Sequence, residues 1–323
     1  MDNLNQGPTR PHPQSRGNRF RQDPPVQPKP DLLVSRRPYP LRVPRRRKRK
    51  FPVFGCLVLI TPFIILAIIL GVYFLFPMRT NVLLIGIDYV EPGSYAARTD
   101  TLILTTFEPL EPYVGMLSIP RDLWVQIPGV GENRINTAHF YAEIEQSGRG
   151  PQAVMDTVNS NFGVKPHYYL RIRFEGFREL VDVLGGVEIQ LEKPTAGYPA
   201  GTHFLKPRKA LAFVRHRASS DDFNRMSNGQ FMLKSLMKNM LYPQNWKHIP
   251  DFIRTFSNVV DSNIPEWLWP RLTLTLLRVG PGGIDNRIID REMTTSFITS
   301  SGAYVLSPDW PKINVILIQM FHR

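Results

Sequence analysis

The stretch from Leu211 to Gln230 reads LAFVRHRASSDDFNRMSNGQ and gathers Arg215, Arg217 and Arg225 beside Asp221 and Asp222, directly after an apolar run. Three guanidiniums that close call for an anion. Each offers a planar fork of donors that matches a phosphate or carboxylate in bidentate fashion. If the segment is extended, Arg215 and Arg217 point the same way, as do Arg98 and Asp100 in the segment ARTD, because side chains two apart on a strand share a face. Arg121 and Asp122 follow a third apolar run in SIPRDLW. The alternative for each arginine is a solvated basic face, or a salt-bridge network with Asp122, Asp221 and Asp222.

Two further carboxylates stand at the edges of apolar runs: Asp88 ends NVLLIGID and Asp100 precedes TLILTTF. Brought together on loops at strand ends, they would suit a hard divalent cation such as Mg²⁺ or Mn²⁺, with phosphate oxygens completing the shell. The plainer reading is that each aspartate shapes a turn. No Gly-rich loop precedes a Lys-Ser/Thr pair, and GxSxG, CxxC and HExxH are absent. With seven scattered histidines and one cysteine, zinc chemistry and a cysteine nucleophile are poorly supported. Arginine and aspartate remain.

The elements that must position them read as α/β. Asn81 to Ile87, Thr101 to Phe107 and Val114 to Ile119 are short runs rich in branched residues, the pattern of strands buried on both faces. Asn136 to Gln146 and Gln152 to Asn161 read as helices. Tyr168 to Arg173 alternates like a strand, Phe174 to Leu184 repeats its apolar residues at helical spacing, and Gly185-Gly186 stops that helix before the strand Val187 to Leu191. A further helix is expected from Arg225 to Leu241. Trp246 to Val260, Glu266 to Leu277 and Trp310 to Phe321 suggest a helical second half. The expected fold class is α/β, a mixed central β-sheet flanked by helices, preceded by one transmembrane helix.

The formal charge of +13 is unevenly placed. Met1 to Lys50 carries 14 Lys plus Arg against 3 Asp, so +11 lies in the tail and +2 in the rest. That tail, residues 1–50, is rich in proline and is expected to be disordered; PPVQPKP has the spacing of a Pro-rich docking ligand. Phe51 to Met78 holds no charged residue. A helix of about 20 apolar residues spans a bilayer, and the basic block from Arg42 to Lys50 would keep the N-terminus cytoplasmic. Residues 79–323 would then form one extracytoplasmic domain. The basic excess of the tail is explained by anionic lipid beside the span, so no nucleic acid is expected. The lone Cys56 lies within the apolar run, so the domain has no internal disulfide.

In order, GID, RTDT, SIPRD, INTAH, VDVLGGVEI and KALAFVRHR with DDFNR resemble the LytR-CpsA-Psr family of membrane-anchored cell-envelope enzymes. The resemblance runs from about Asn81 to the C-terminus and rests on six separated motifs. It implies transfer of a glycopolymer from a polyprenyl pyrophosphate carrier to a peptidoglycan hydroxyl, with a phosphodiester formed and polyprenyl monophosphate released. It further implies that Asp88 and Asp100 bind Mg²⁺, that Arg98, Arg121, Arg215, Arg217, Arg225 and Gln230 meet the phosphates, and that the polyprenyl tail lies between sheet and helices. Arg121, Arg215, Arg217 and Asp122 are the catalytic candidates. Asp88 or Asp122 could be the general base, although a metal-bound Asp88 would be a poor one. Where the family usually reads DFGRxxRQQ this chain reads DFNRMSNGQ, so Asn224, Asn228 and Gly229 depart from the pattern. Two other readings stay open: a pyrophosphatase acting on lipid carriers, and a non-enzymatic binder or sensor of lipid-linked or anionic wall polymers.

Overall fold

The computed structural model describes the backbone of residues 53–75, 78–88, 96–216 and 222–322, with side chains from 60 onward apart from 75 and 222. The basic tail lies outside the described residues. The chain begins with helix α1 (Val53–Leu75), whose sequence carries no charge and has Pro62 inside it. Ile60, Phe63, Ile64, Leu66, Ile68 and Ile69 are all exposed. No helix among the described residues is long and apolar enough to cross a membrane; in α1 the described side chains cover only 60–74.

After α1 come β1 (Thr80–Ile87), β2 (Thr99–Glu108), β3 (Tyr113–Ser118), β4 (Trp124–Ile127) and β5 (Gly131–Arg134). Helices α2 (Thr137–Glu145) and α3 (Gly150–Phe162) lead to β6 (Tyr168–Arg173), α4 (Phe174–Val183), β7 (Val187–Leu191) and β8 (Gly201–Leu205). Helices α5 (Pro207–Arg215), α6 (Asp222–Leu241) and α7 (Ile249–Val259) precede β9 (Val260–Ser262) and α8 (Trp269–Gly283). The chain closes with β10 (Asp285–Ile288), β11 (Thr294–Ile298), β12 (Tyr304–Pro308) and α9 (Trp310–Phe321).

The central sheet has six strands in the order β10-β3-β2-β1-β6-β9. The β1/β6 and β10/β3 pairs are parallel, and β1/β2, β2/β3 and β6/β9 are antiparallel. The sheet is therefore mixed and carries helices on both faces. Alternation along β1 divides the core: Leu83, Ile85 and Ile87 pack with residues of α3 and α9, whereas Val82 packs with Leu268 and Leu272 beside and within α8. A strand covered on both faces needs apolar residues at every position, which is why β1 reads as an unbroken run. A third cluster joins α4, β7, β8, α5 and α6, with Val181, Val187, Phe213 and Met232 fully buried.

The second half is less helical than its sequence suggests. β9 and β10 form the two edges of the central sheet, and β11 pairs with β12 in a separate hairpin. Edge strands need bury little: β10 reads DNRI and is half-buried throughout, so no apolar period marks it. Glu266 to Leu277 is a short 3₁₀ turn followed by α8, and α8 is interrupted at Gly280, where φ is +66° ahead of Pro281. Arg215 is the last residue of α5 rather than part of an extended segment. Pro207 starts that helix, where a missing N–H costs nothing, and the apolar side chains Ala210, Phe213 and Val214 fix its buried face.

Candidate active site

The strand directions bring the C-terminal ends of β1, β3, β6 and β10 to the same edge as the start of β2. Crevices outside the carboxyl ends of strands are where α/β sheets gather ligands. Asp88 follows β1 at this edge, Asp100 is the second residue of β2, and Arg121 and Asp122 follow β3. A register shift sharpens the placement. Gly86 pairs with Thr101 but Ile87 pairs with Thr99, so Asp100 is the extra residue of a bulge. A bulge bends the strand and re-aims the side chain it carries. Gly86 is required there, because a Cβ would lie 2.9 Å from that of Thr101.

Asp100 is the hub. Its Oδ1 accepts from Arg121 Nη1 at 2.5 Å and from Arg225 Nη1 at 3.2 Å, and its carbonyl accepts from Arg225 Nη2 at 2.8 Å. Arg225 reaches it from α6 and is 6% exposed. Arg121 Nε lies 3.4 Å from Asp122 Oδ2, and Asp122 Oδ1 lies 3.5 Å from Arg134 Nε. Asp122 thus stands between two guanidiniums and orients Arg121. On the β1 side, Arg215 Nη2 donates to Asp88, and its guanidinium lies 4.8 Å from the centre of the Phe174 ring. This pair is more open, with side chains 39% and 47% exposed.

Arg98 is exposed with its guanidinium 5.9 Å from the centre of the Phe140 ring, while Thr99 between it and Asp100 is fully buried. Arg98 precedes β2 and Asp100 is the bulge residue, so the two-residue parity expected of an extended strand does not govern this pair, and their side chains meet different partners. Arg217 and Asp221 lie outside the described residues, as does the side chain of Asp222. Gln230 is buried away from the carboxylates, its amide donating to the carbonyls of Met116 at 3.2 Å and Arg287 at 2.9 Å. It ties β3 to the edge strand β10. Asn228, one of the departures from the family pattern, is also buried and donates to the Phe213 carbonyl at 3.3 Å, joining α6 to α5.

Sequence reasoning overlooked two contributors. Arg173 ends β6 directly beside Ile87 in the parallel register, so it stands at the same sheet edge as Asp88. Phe174, the next residue, supplies the ring under Arg215. The strand–helix junction Arg173-Phe174 after an alternating run was the available signal. The apolar cavity of about 520 Å³, lined by Phe74, Trp269, Pro270, Thr273, Leu274 and Leu277 with Glu266, shares no residue with the arginine cluster.

Chemically, the edge offers arginines around two carboxylates with no third His, Cys, Asp or Glu grouped with them among the described residues. Two oxygen donors fit a hard cation that draws its remaining ligands from phosphate and water. They do not fit a closed site for a softer metal. The arginines are held at this edge by Asp88, Asp100 and Asp122, and guanidiniums so held suit an oxyanion.

Comparison with known proteins places the fold and the family. The regulatory protein MsrR of Staphylococcus aureus is 28% identical over 196 residues, covering 58% of this chain and 57% of its own. The polyisoprenyl-teichoic acid–peptidoglycan teichoic acid transferase TagU of Oceanobacillus iheyensis is 35% identical over 163 residues, covering 49% and 50%. The chain thus spans about half the length of the curated relatives it matches. The crystal structure of TagV from B. subtilis shares the fold with a TM-score of 0.62 at 23% identity, covering 76% of this chain and 98% of that one. A structure of TagT bound to LIIa-WTA does so with a TM-score of 0.59 at 23% identity, covering 76% and 90%. The LytR_cpsA_psr family model matches residues 78–320, three quarters of the sequence and every motif that builds the site, and the chain belongs to that family.

Proposed function

We propose that this protein is a membrane-anchored phosphotransferase that moves a glycopolymer from a polyprenyl pyrophosphate carrier to a hydroxyl of peptidoglycan. The acceptor oxygen attacks the phosphorus attached to the glycan. A phosphodiester forms, the bond to the bridging oxygen breaks, and polyprenyl monophosphate leaves. The observation that carries this reading is the meeting of Arg121, Arg215 and Arg225 around Asp88 and Asp100 at one sheet edge. Phosphoryl transfer needs placement and charge neutralisation more than covalent help, and fixed guanidiniums supply both. The name of the relative TagU, a teichoic acid transferase to peptidoglycan, supports the substrate class.

Asp88 and Asp100 are the residues that would hold Mg²⁺ or Mn²⁺, and such a cation supplies further charge neutralisation on the pyrophosphate. Arg121 and Arg225, both braced on Asp100, orient the phosphate oxygens. Arg215, stacked on Phe174, meets the charge that develops on the leaving group. Arg98, exposed just before β2, and Arg217 would add further guanidiniums to the phosphate grip. Asp122 serves through Arg121, since both its oxygens face guanidiniums. The uncharged run of α1, preceded by a strongly basic tail, serves as the anchor and keeps the domain close to a lipid-borne donor.

The test supplies full-length protein in detergent with a lipid-pyrophosphate-linked oligosaccharide, Mg²⁺ and peptidoglycan. Expected is polyprenyl monophosphate released together with glycan attached through a phosphodiester. Release of free glycan phosphate whether or not peptidoglycan is added would instead indicate a pyrophosphatase. Binding without any product would indicate a carrier or sensor.

A further inference from the structure

The INTAH segment contains no arginine or carboxylate, yet it touches both loops of the site. The Asn136 N–H donates to the Arg121 carbonyl at 3.2 Å, and the Asn136 carbonyl accepts from the Thr99 N–H at 3.2 Å. Within the first turn of α2, His139 Nδ1 lies 2.8 Å from the Ala97 carbonyl. Ala97 and Thr99 flank Arg98, and Thr99 precedes Asp100. The start of α2 thus grips the backbone on both sides of Arg98 and next to the hub carboxylate.

Hydrogen-bond chemistry fixes the state of the imidazole. A carbonyl only accepts, so Nδ1 carries the proton. On the other side Nε2 lies 3.1 Å from Arg171 Nη1, and a guanidinium only donates, so Nε2 is the acceptor. His139 is completely buried and Arg171 is 4% exposed. Arg171 is held in turn by Glu143 Oε1 at 2.5 Å and by Asp261 Oδ2 at 2.6 and 3.0 Å. Glu143 accepts from the N–H groups of Gly148 at 2.8 Å and Gly150 at 3.2 Å. The Tyr169 hydroxyl stands 3.4 Å from both Asp261 oxygens. Gly150 permits the packing, because a Cβ there would come within 2.7 Å of both His139 and Glu143.

We propose that His139 is a positioning residue for the phosphate grip: its neutral Nδ1–H straps the Ala97 carbonyl and so aims Arg98 and Asp100, while Arg171 locks the tautomer from behind. The inference rests on the phosphotransferase reading only for its kinetic consequence. Protonation would turn Nε2 into a donor facing Arg171, another donor. Burial lowers the His139 pKa and the Arg171 charge lowers it further, against the Ala97 hydrogen bond and the charges of Glu143 and Asp261, which raise it. The folded pKa lies below that of the unfolded chain, so the Arg171 lock is intact above about pH 6.5 and is lost as the pH falls through the lowered folded pKa, where the charged ring keeps its Nδ1–H but no longer accepts from Arg171.

Two variants of the full chain separate the roles of the ring nitrogens. H139N puts an amide where Nδ1 stands and can still donate to Ala97, whereas H139Q puts one near Nε2 and serves only Arg171. Amide hydrogen exchange across residues 97–100 is expected to speed up about tenfold in H139Q and to stay close to wild type in H139N, as loss of one hydrogen bond predicts. Turnover should fall by about the same factor in H139Q and recover largely in H139N, with matched Tm values for the two proteins. Wild-type exchange and turnover in H139Q, or equal losses in both variants at equal Tm, would overturn the proposal. If wild type itself forms no product, the phosphotransferase reading fails, and the exchange result alone decides the strap. If H139Q does not fold, the pH dependence of wild type decides instead: protection of residues 97–100, corrected for intrinsic exchange, should drop on acidification below pH 6.5 while β1 keeps its own. An unchanged ratio between the two segments would sink the idea.

Discussion

Arg215 and Arg225 both pair with an aspartate, but their surroundings assign them different energetic roles. The Arg215–Asp88 pair is well exposed, and exposed ion pairs contribute about 0–1 kcal/mol. Arg225 is nearly buried against Asp100, and removing one partner of a buried pair costs about 3–5 kcal/mol because the other charge is left without compensation. R215A is therefore expected to unfold within about 1 kcal/mol of wild type while losing transfer. D100A is expected to lose about 3 kcal/mol in urea unfolding as well as activity. Equal stability losses in the two variants would contradict this division. At this scale the sequence named the candidate side chains but not which of them touch. DFNR and RTD lie more than a hundred residues apart, and the Arg225–Asp100 contact exists only because the first turn of α6 comes beside the start of β2. Gln230 shows the converse. Its place in the motif implied a phosphate contact, whereas its amide bridges two strands through Met116 and Arg287.

Elements follow the same logic. The strands β1, β2 and β3 were legible because burial on both faces forces continuous apolar runs, and α4 because Phe174, Phe177, Val181 and Leu184 repeat at helical spacing. The edge strands and the β11/β12 hairpin were not, because half-exposed backbone pairing sets no apolar period. Nor was the bulge at Gly86/Ile87, which depends on how two strands distant in sequence line up. That bulge is what leaves Asp100 out of register opposite Gly86 and Ile87, at the end of β1 that Asp88 follows. G86V places a branched side chain against Thr101, and overpacking of this kind costs about 1–3 kcal/mol. Because the strain falls on the bulge, G86V is expected to reduce turnover well beyond its effect on Tm. A variant with wild-type turnover would show that the register shift does not set the site. Helix α5 ends where Arg215 is needed, with the partial negative charge of its C-terminus beside a cation.

Over the whole molecule, charge and chemistry are separated. Nearly all the net positive charge lies in residues 1–50, while the folded domain is close to neutral. Affinity for a polyphosphate in this domain must therefore come from the local arginine cluster rather than from a general field, which salt screens within about 10 Å at 0.1 M. The apolar, exposed surface of α1 fits the anchoring proposed above, since such a surface is stable only when lipid or protein covers it. In that proposal the sheet edge is a fixed receptor for a headgroup delivered by the membrane. The most direct measurement is equilibrium binding of a short-chain polyprenyl pyrophosphate and of its monophosphate to wild type and R215A, with Mg²⁺ present. A charge-assisted hydrogen bond is worth about 1.5–3 kcal/mol, so wild type should prefer the pyrophosphate and R215A should bind it at least about tenfold more weakly. Equal affinity of the two proteins for the pyrophosphate would contradict the assignment of this arginine cluster as the phosphate grip.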